Sequence, residues 1–195
     1  MRRMLCAPTL AALLVLLGCA TTTLKSTWKN PEITGPLQFK KVLLLAICKD
    51  PDRRAQVEGL IGVIMKRAEG IPSYMAIPDS ALGDVQKIKS IMSENGFDGA
   101  VTVRLVNARQ ETTWVSSTYP SFWGYYQWAY PLAWDPGYQV TDTIIRLETK
   151  VYSLKDDCLV WSGVSDTFDP ASLDGMVREV AAAVAADLEK RGLVN

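Results

Sequence analysis

The chain has 195 residues, 21 basic side chains against 21 acidic ones, and a mean hydropathy of +0.06. This balance argues against a nucleic-acid binder, which would carry a basic face, and the length suits one domain with a real core. Histidine is absent, which removes Ser-His-Asp and Cys-His nucleophiles, His general bases and His-containing zinc sites.

Met1-Arg2-Arg3 is a short basic start, and an apolar run from Leu5 to Leu17 follows. The run is shorter than the roughly 20 residues a bilayer span needs, and it has the charge and length of a secretory signal. It closes on Leu16-Leu17-Gly18-Cys19. These four residues resemble the lipobox of bacterial lipoproteins. The resemblance implies a signal peptide over 1–18, cleavage between Gly18 and Cys19, and covalent lipid (palmitate among its acyl chains) on Cys19. Each buried CH₂ contributes about 0.8 kcal/mol, so more than one chain anchors stably. Residue 20 is Ala. Asp there would resemble an inner-membrane retention signal, so Ala implies the outer membrane, with the domain facing the periplasm. Cleavage leaves 177 residues and removes two arginines, so the mature chain has 19 basic and 21 acidic residues, a net charge of −2.

Residues 19–38 read as a lipidated N-terminus and tether, because Thr21-Thr22-Thr23, Pro31, Gly35 and Pro36 show no helical or strand period. Residues 39–195 read as a single α/β domain. Lys40–Cys48 is a continuous apolar run and predicts a strand buried on both faces. Asp50-Pro51 predicts an N-cap and first turn, with a helix over 52–69 ended by Gly70. Ile71–Ile77 predicts a second strand, and Asp79 opens a second helix closed by Gly96. Gly99–Trp114 and Val140–Leu154 predict two long strands. Lys155-Asp156-Asp157 turns into a fifth strand, Cys158–Phe168, and makes a hairpin. Asp169-Pro170 predicts the cap of a last helix reaching Arg191. The order β-α-β-α-β-β-β-α predicts an α+β fold with a mixed five-stranded sheet and three helices.

Between the third and fourth strands lies an insertion, 112–139. It holds Trp114, Tyr119, Phe122, Trp123, Tyr125, Tyr126, Trp128, Tyr130, Trp134 and Tyr138, ten of the chain's 17 aromatics. Connections in compact domains are mostly about 4–6 residues, and disordered segments are poor in aromatics. Four readings stay open. The rings pack back on the sheet as a satellite core, form a protein or self-association surface, touch the membrane interface, or stack on glycan. The ten rings are the candidate partner-binding residues.

Of the four cysteines, Cys6 leaves with the signal and Cys19 takes the lipid. Cys48 and Cys158 remain in an oxidising compartment, and spacing leaves open whether they form a disulfide or stay free. Cys48, beside a helix start, is the only suggestive position for an enzyme, although a buried structural cysteine explains it more simply. No G-x-G-x-x-G, P-loop or C-x-x-C occurs. The expectation is no catalytic residue, no metal and no cofactor beyond the lipid on Cys19.

Several segments together resemble a family of small bacterial lipoproteins carrying a domain of unknown function. They are the lipobox, Ser26-Thr27-Trp28-Lys29-Asn30-Pro31, Lys41 to Asp50 with Arg53-Arg54, Gly96-Phe97-Asp98-Gly99-Ala100, the aromatic insertion, and Val151-Tyr152-Ser153 with Leu159-Val160-Trp161-Ser162-Gly163. The resemblance implies a fold similar to the amino-terminal domain of TolB and the core of CsgG, and no catalytic residues. The expected function is a non-enzymatic outer-membrane lipoprotein, an accessory or scaffolding module of the cell envelope. Its partners would be the membrane through the anchor and a protein partner or a second copy, with no nucleic acid. The alternative is a glycan-, peptidoglycan- or lipid-binding module that uses the insertion.

Overall fold

A computed structural model describes residues 21–81, 83–114 and 139–194, apart from the side chains of Asp79, 111–114 and 139–141. Its elements are β1 (Thr22–Lys29), β2 (Lys41–Ile47), α1 (Pro51–Ile64), β3 (Glu69–Pro72), α2 (Ser73–Ala76), a 3₁₀ turn (Asp79–Ala81), α3 (Val85–Glu94), β4 (Gly99–Trp114), β5 (Gln139–Ser153), β6 (Cys158–Phe168) and α4 (Leu173–Lys190). The strands form one mixed sheet in the order β1-β6-β5-β4-β2-β3. β2 runs parallel to β3 and β4, and the other pairs are antiparallel.

The expected class holds, with six strands rather than five. The extra strand comes from the stretch read as a tether. β1 pairs with β6 from Thr22↔Thr167 to Lys29↔Trp161, across a bulge after Leu24. Thr22 and Thr167 share a buried hydroxyl–hydroxyl hydrogen bond of 2.8 Å. Residues 22–29 of the expected tether are therefore part of the sheet. β1 escapes detection because an edge strand packs one face only, and its apolar content is reduced to Leu24 and Trp28 among threonines, Ser26 and lysines.

Other boundaries move for local reasons. α1 starts as expected, with Asp50 accepting from the backbone N–H groups of Asp52 (3.0 Å) and Arg53 (3.3 Å). It stops at Ile64 because β3 must already pair with β2 at Lys41↔Glu69. β3 is short, and Ser73–Ala76 is helical instead of extended. Asp79 opens only the 3₁₀ turn; Asp84 caps α3 through the Lys87 N–H at 3.0 Å. Ser172 caps α4 through the Gly175 N–H at 3.0 Å. Asp169 instead adopts a positive φ of 41° and accepts from the Thr143 N–H at 2.6 Å.

Alternation along β2 sends its side chains to two layers. Leu43 joins Ile77, Ala81, Met92, Phe97 and Ala100 under α2 and α3. Leu44 points the other way, with its Cδ1 against α1 near Gly62. On that same face α4 covers Leu147, Val151 and Trp161, with Val180 and Met176 inward. Two helices thus share one face of the sheet, and the space lined by both of them and that face is the feature of interest.

Candidate functional site

α1 and α4 both start at the upper edge of the sheet, where β2 and β6 end and β1 begins. The two helices pack against each other, and a cleft of about 940 Å³ is lined by both of them and by the sheet face they cover. Its floor follows β4 from Val101 to Ala108, about 23 Å at roughly 3.3 Å per residue. Val103, Leu147 and Val151 belong to the floor, Val57 and Ile61 to the α1 wall, and Val177 and Val184 to the α4 wall. Ala181 and Ala185 are the small side chains that keep the α4 wall recessed.

The packing around this space is unusual for its sequence. Val57, Leu60, Ile61, Ile64 and Met65 are the expected inward face of α1, yet all stay only half-buried. The one fully buried residue of α1 is Glu58, at 0% exposure. Its carboxylate accepts from the Ala46 N–H (2.9 Å), the Ser73 hydroxyl (2.7 Å) and the Tyr74 N–H (3.2 Å), with Arg54 Nε at 3.6 Å. These hydrogen bonds fix α1 over β2 and α2.

Polar groups lie at the ends of the cleft. At the lower end Arg67 and Glu189 form a 2.7 Å ion pair between the two walls, and Leu37, Phe39 and Val194 close the base. The Leu37 N–H donates to the Leu193 carbonyl at 2.7 Å. At the upper end apolar liners are exposed. Ile47 and Leu105 are 55% and 54% exposed there, beside Cys48, Arg53 and Gln56. Thr149 is the polar side chain of the middle floor. Water fills a cavity well only where polar partners receive it, and the middle of this cleft offers almost none.

α4 is fixed on its outer side by carboxylates. Trp161, at 0% exposure, donates its indole N–H to Asp187 at 2.8 Å. Burial pushes the Asp187 carboxyl up, but hydrogen bonds from Trp161 and Arg191 outweigh it and hold the group below its usual range. Glu179 accepts from the Thr21 N–H and hydroxyl, each at 2.9 Å, and the Thr21 side-chain bond chiefly lowers its pKa. On the opposite sheet face Arg146 grips buried Asp166 with two 2.6 Å bonds. That side-chain hydrogen bonding is the main cause of Asp166's depressed pKa.

The sequence-derived candidates fare unevenly. Gly18, Cys19 and the rings of Trp114, Tyr119, Phe122, Trp123, Tyr125, Tyr126, Trp128, Tyr130, Trp134 and Tyr138 lie outside the described residues and side chains. Cys48 and Cys158 are free thiols, which corrects the possible disulfide. Cys158 begins β6 level with Ser153 and Gly99, while Cys48 follows the far end of β2. The two ends are about 20 Å apart along the strands alone, against the ~7 Å limit on Cα separation in a disulfide. Cys48 is exposed, not the buried core residue that the apolar run suggests. Among the described residues no three His, Cys, Asp or Glu side chains gather as a metal site, and no helix is long and apolar enough to cross a membrane. The cleft was missed because each of its liners, taken singly, reads as core.

No family model matches the chain, and no curated protein matches it. Solved structures similar to it include two crystal forms of the PelC dodecamer from Paraburkholderia phytofirmans. One has 10% identity and a TM-score of 0.47, covering 82% of this chain and 95% of that one. The other has 10% identity and a TM-score of 0.42, covering 89% and 99%. Lipoprotein GNA1162 from Neisseria meningitidis has 11% identity and a TM-score of 0.43, covering 77% and 99%.

Proposed function

We propose that the protein is a non-enzymatic, outer-membrane-anchored lipoprotein. It serves as an accessory module of the cell envelope whose working end is the upper edge of the sheet. One observation carries this reading: the anchor side and the insertion leave the domain at the same edge. Thr21 is fixed to Glu179 at that edge, so Cys19 stands two residues away, about 7 Å at full extension. From the same edge β4 and β5 continue past β6 as a two-stranded arm, from Gln110↔Thr143 to Trp114↔Gln139. Five residue pairs carry it about 17 Å, and residues 115–138 follow at its tip. The arm is longer than the anchor's leash, so on this reading its described tip reaches the level of the membrane surface, where Trp and Tyr are favoured.

The favoured partner is a protein of the envelope or a second copy of this chain, met at that surface. The arm's reach also favours a second reading, a lipid-binding module. A photoreactive residue at Trp128, irradiated in cells, separates them by mass spectrometry. Protein adducts support the accessory module, and lipid adducts the second reading. No adduct, while a control site crosslinks, rejects both. Cys19→Ser is expected to abolish palmitate labelling; persistent labelling would reject the anchor.

A further inference from the structure

We propose that the cleft lined by α1, α4 and the sheet face beneath them binds a single long acyl chain bearing an anionic head, as in a free fatty acid or a membrane lipid. The chain lies along the floor from Val101 to Ala108, and the head stays at the upper mouth with Arg53 and Gln56. Three observations select this chemistry. The middle of the lining is aliphatic, with Thr149 the polar group of the floor, while Arg53, Gln56 and Ser172 line the upper end and Lys66, Arg67 and Glu189 the lower. An extended peptide inserted there would bury amide groups without partners, whereas an acyl chain has none to satisfy. The shape is a slot bridged at its lower end by the Arg67–Glu189 ion pair, with apolar Ile47 and Leu105 exposed at its upper end. Charge is available where a head would sit: the Arg53 guanidinium has no ion-pair partner among the described residues, while the neighbouring Asp50 carboxylate is turned onto the α1 backbone. The supply of ligand rests on the outer-membrane reading above, which sets this mouth facing the bilayer; the cleft's chemistry does not.

The test feeds cells producing the full chain with a palmitic acid analogue that carries a mid-chain diazirine. After irradiation the protein is purified and its adducts are mapped. Adducts are expected on the α1 and α4 peptides that hold Val57, Ile61, Val177 and Val184. Ala181→Phe with Ala185→Phe, which fills the slot, is expected to cut them at least tenfold. Should that pair of substitutions impair folding, Leu105→Glu sets a negative charge at the exposed mouth and is expected to cut them severalfold in a fully folded protein. Adduct mass distinguishes a free fatty acid from a phospholipid, and either supports the proposal. No cleft adducts, adducts undiminished in the folded variants, or only crosslinks to the chain's own Cys19 lipid would overturn it. Lipid on Cys19 is read separately from the N-terminal peptide, so a missing anchor rejects the outer-membrane reading and leaves the cleft result standing.

Discussion

Trp161 owes its position to the residue two places on. Its indole lies across Gly163, where a Cβ would collide with ring carbons Cη2 and Cζ2, and from there its N–H reaches Asp187 on α4. Gly163→Ala is therefore expected to lift the ring, overpack the layer and break that bond. The cost should be about 3 kcal/mol; a urea unfolding midpoint like that of the parent would contradict it. A second residue-scale lock is the Arg146–Asp166 pair, with Asp166 only 1% exposed. Removing one partner of a buried pair costs about 3–5 kcal/mol, and Arg146's partial exposure sets Asp166→Asn at the lower end at pH 7. Asp166's pKa is depressed on folding. Its ionised form thus adds stability above the unfolded value near 4, and the contribution is lost as pH falls through the lower folded value. Melting curves of parent and Asp166→Asn should converge below about pH 4; a gap constant from pH 7 to 2.5 would show that the carboxylate's charge is not what stabilises.

At the scale of elements, β1 makes the N-terminus part of the sheet. Its first turn of chain is held by Glu179, so Glu179→Ala should speed amide exchange in residues 21–24 while the exchange of β2 stays slow. Equal exchange in both proteins would mean that β6 alone holds the strand. The ease of reading each element from sequence follows from how it is buried. β2 was legible because a strand covered on both faces must be a continuous apolar run, and Lys41–Ile47 is one. β1 was not, since threonines and lysines on an exposed edge look like a polar linker. The end of α1 was misplaced by five residues because Lys66, Arg67 and Ala68 are good helix formers; the parallel pairing of Glu69 with Lys41 overrides them. The cleft leaves one trace in the sequence, the alanines around Val184, and a run of alanine is equally a strong helix former. Those alanines line a slot only because α1 is seated over β2 and α2 by the Glu58 hydrogen bonds, and these join residues 46, 58, 73 and 74 from three elements.

For the whole molecule, the docking of Thr21 on α4 has the largest consequence, because on the proposed reading it leaves little slack between anchor and sheet. A 19-residue tether would let the domain sample many orientations and stand clear of the lipid. With Thr21 docked on α4, only Ala20 separates Cys19 from the folded unit, so on the proposed reading the cleft mouth and the β4–β5 arm are held against the bilayer. Inserting about 15 Gly/Ser residues after Ala20 tests this directly. Such a linker has a root-mean-square span of about 20 Å, from roughly 5–6 Å times the square root of its length, enough to carry the upper edge beyond the arm's reach of the surface. The spacer touches no packed residue, so the unfolding midpoint should stay within experimental error and Cys19 should still be lipidated. Crosslinks from Trp128 to membrane partners and photolipid adducts in the cleft should both fall severalfold. If both survive at parental levels, the domain meets its ligands by diffusion on a leash, and the short connection through β1 serves folding alone. If only the cleft adducts survive, the cleft loads from free amphiphile, and the membrane-facing geometry matters to the insertion but not to the slot.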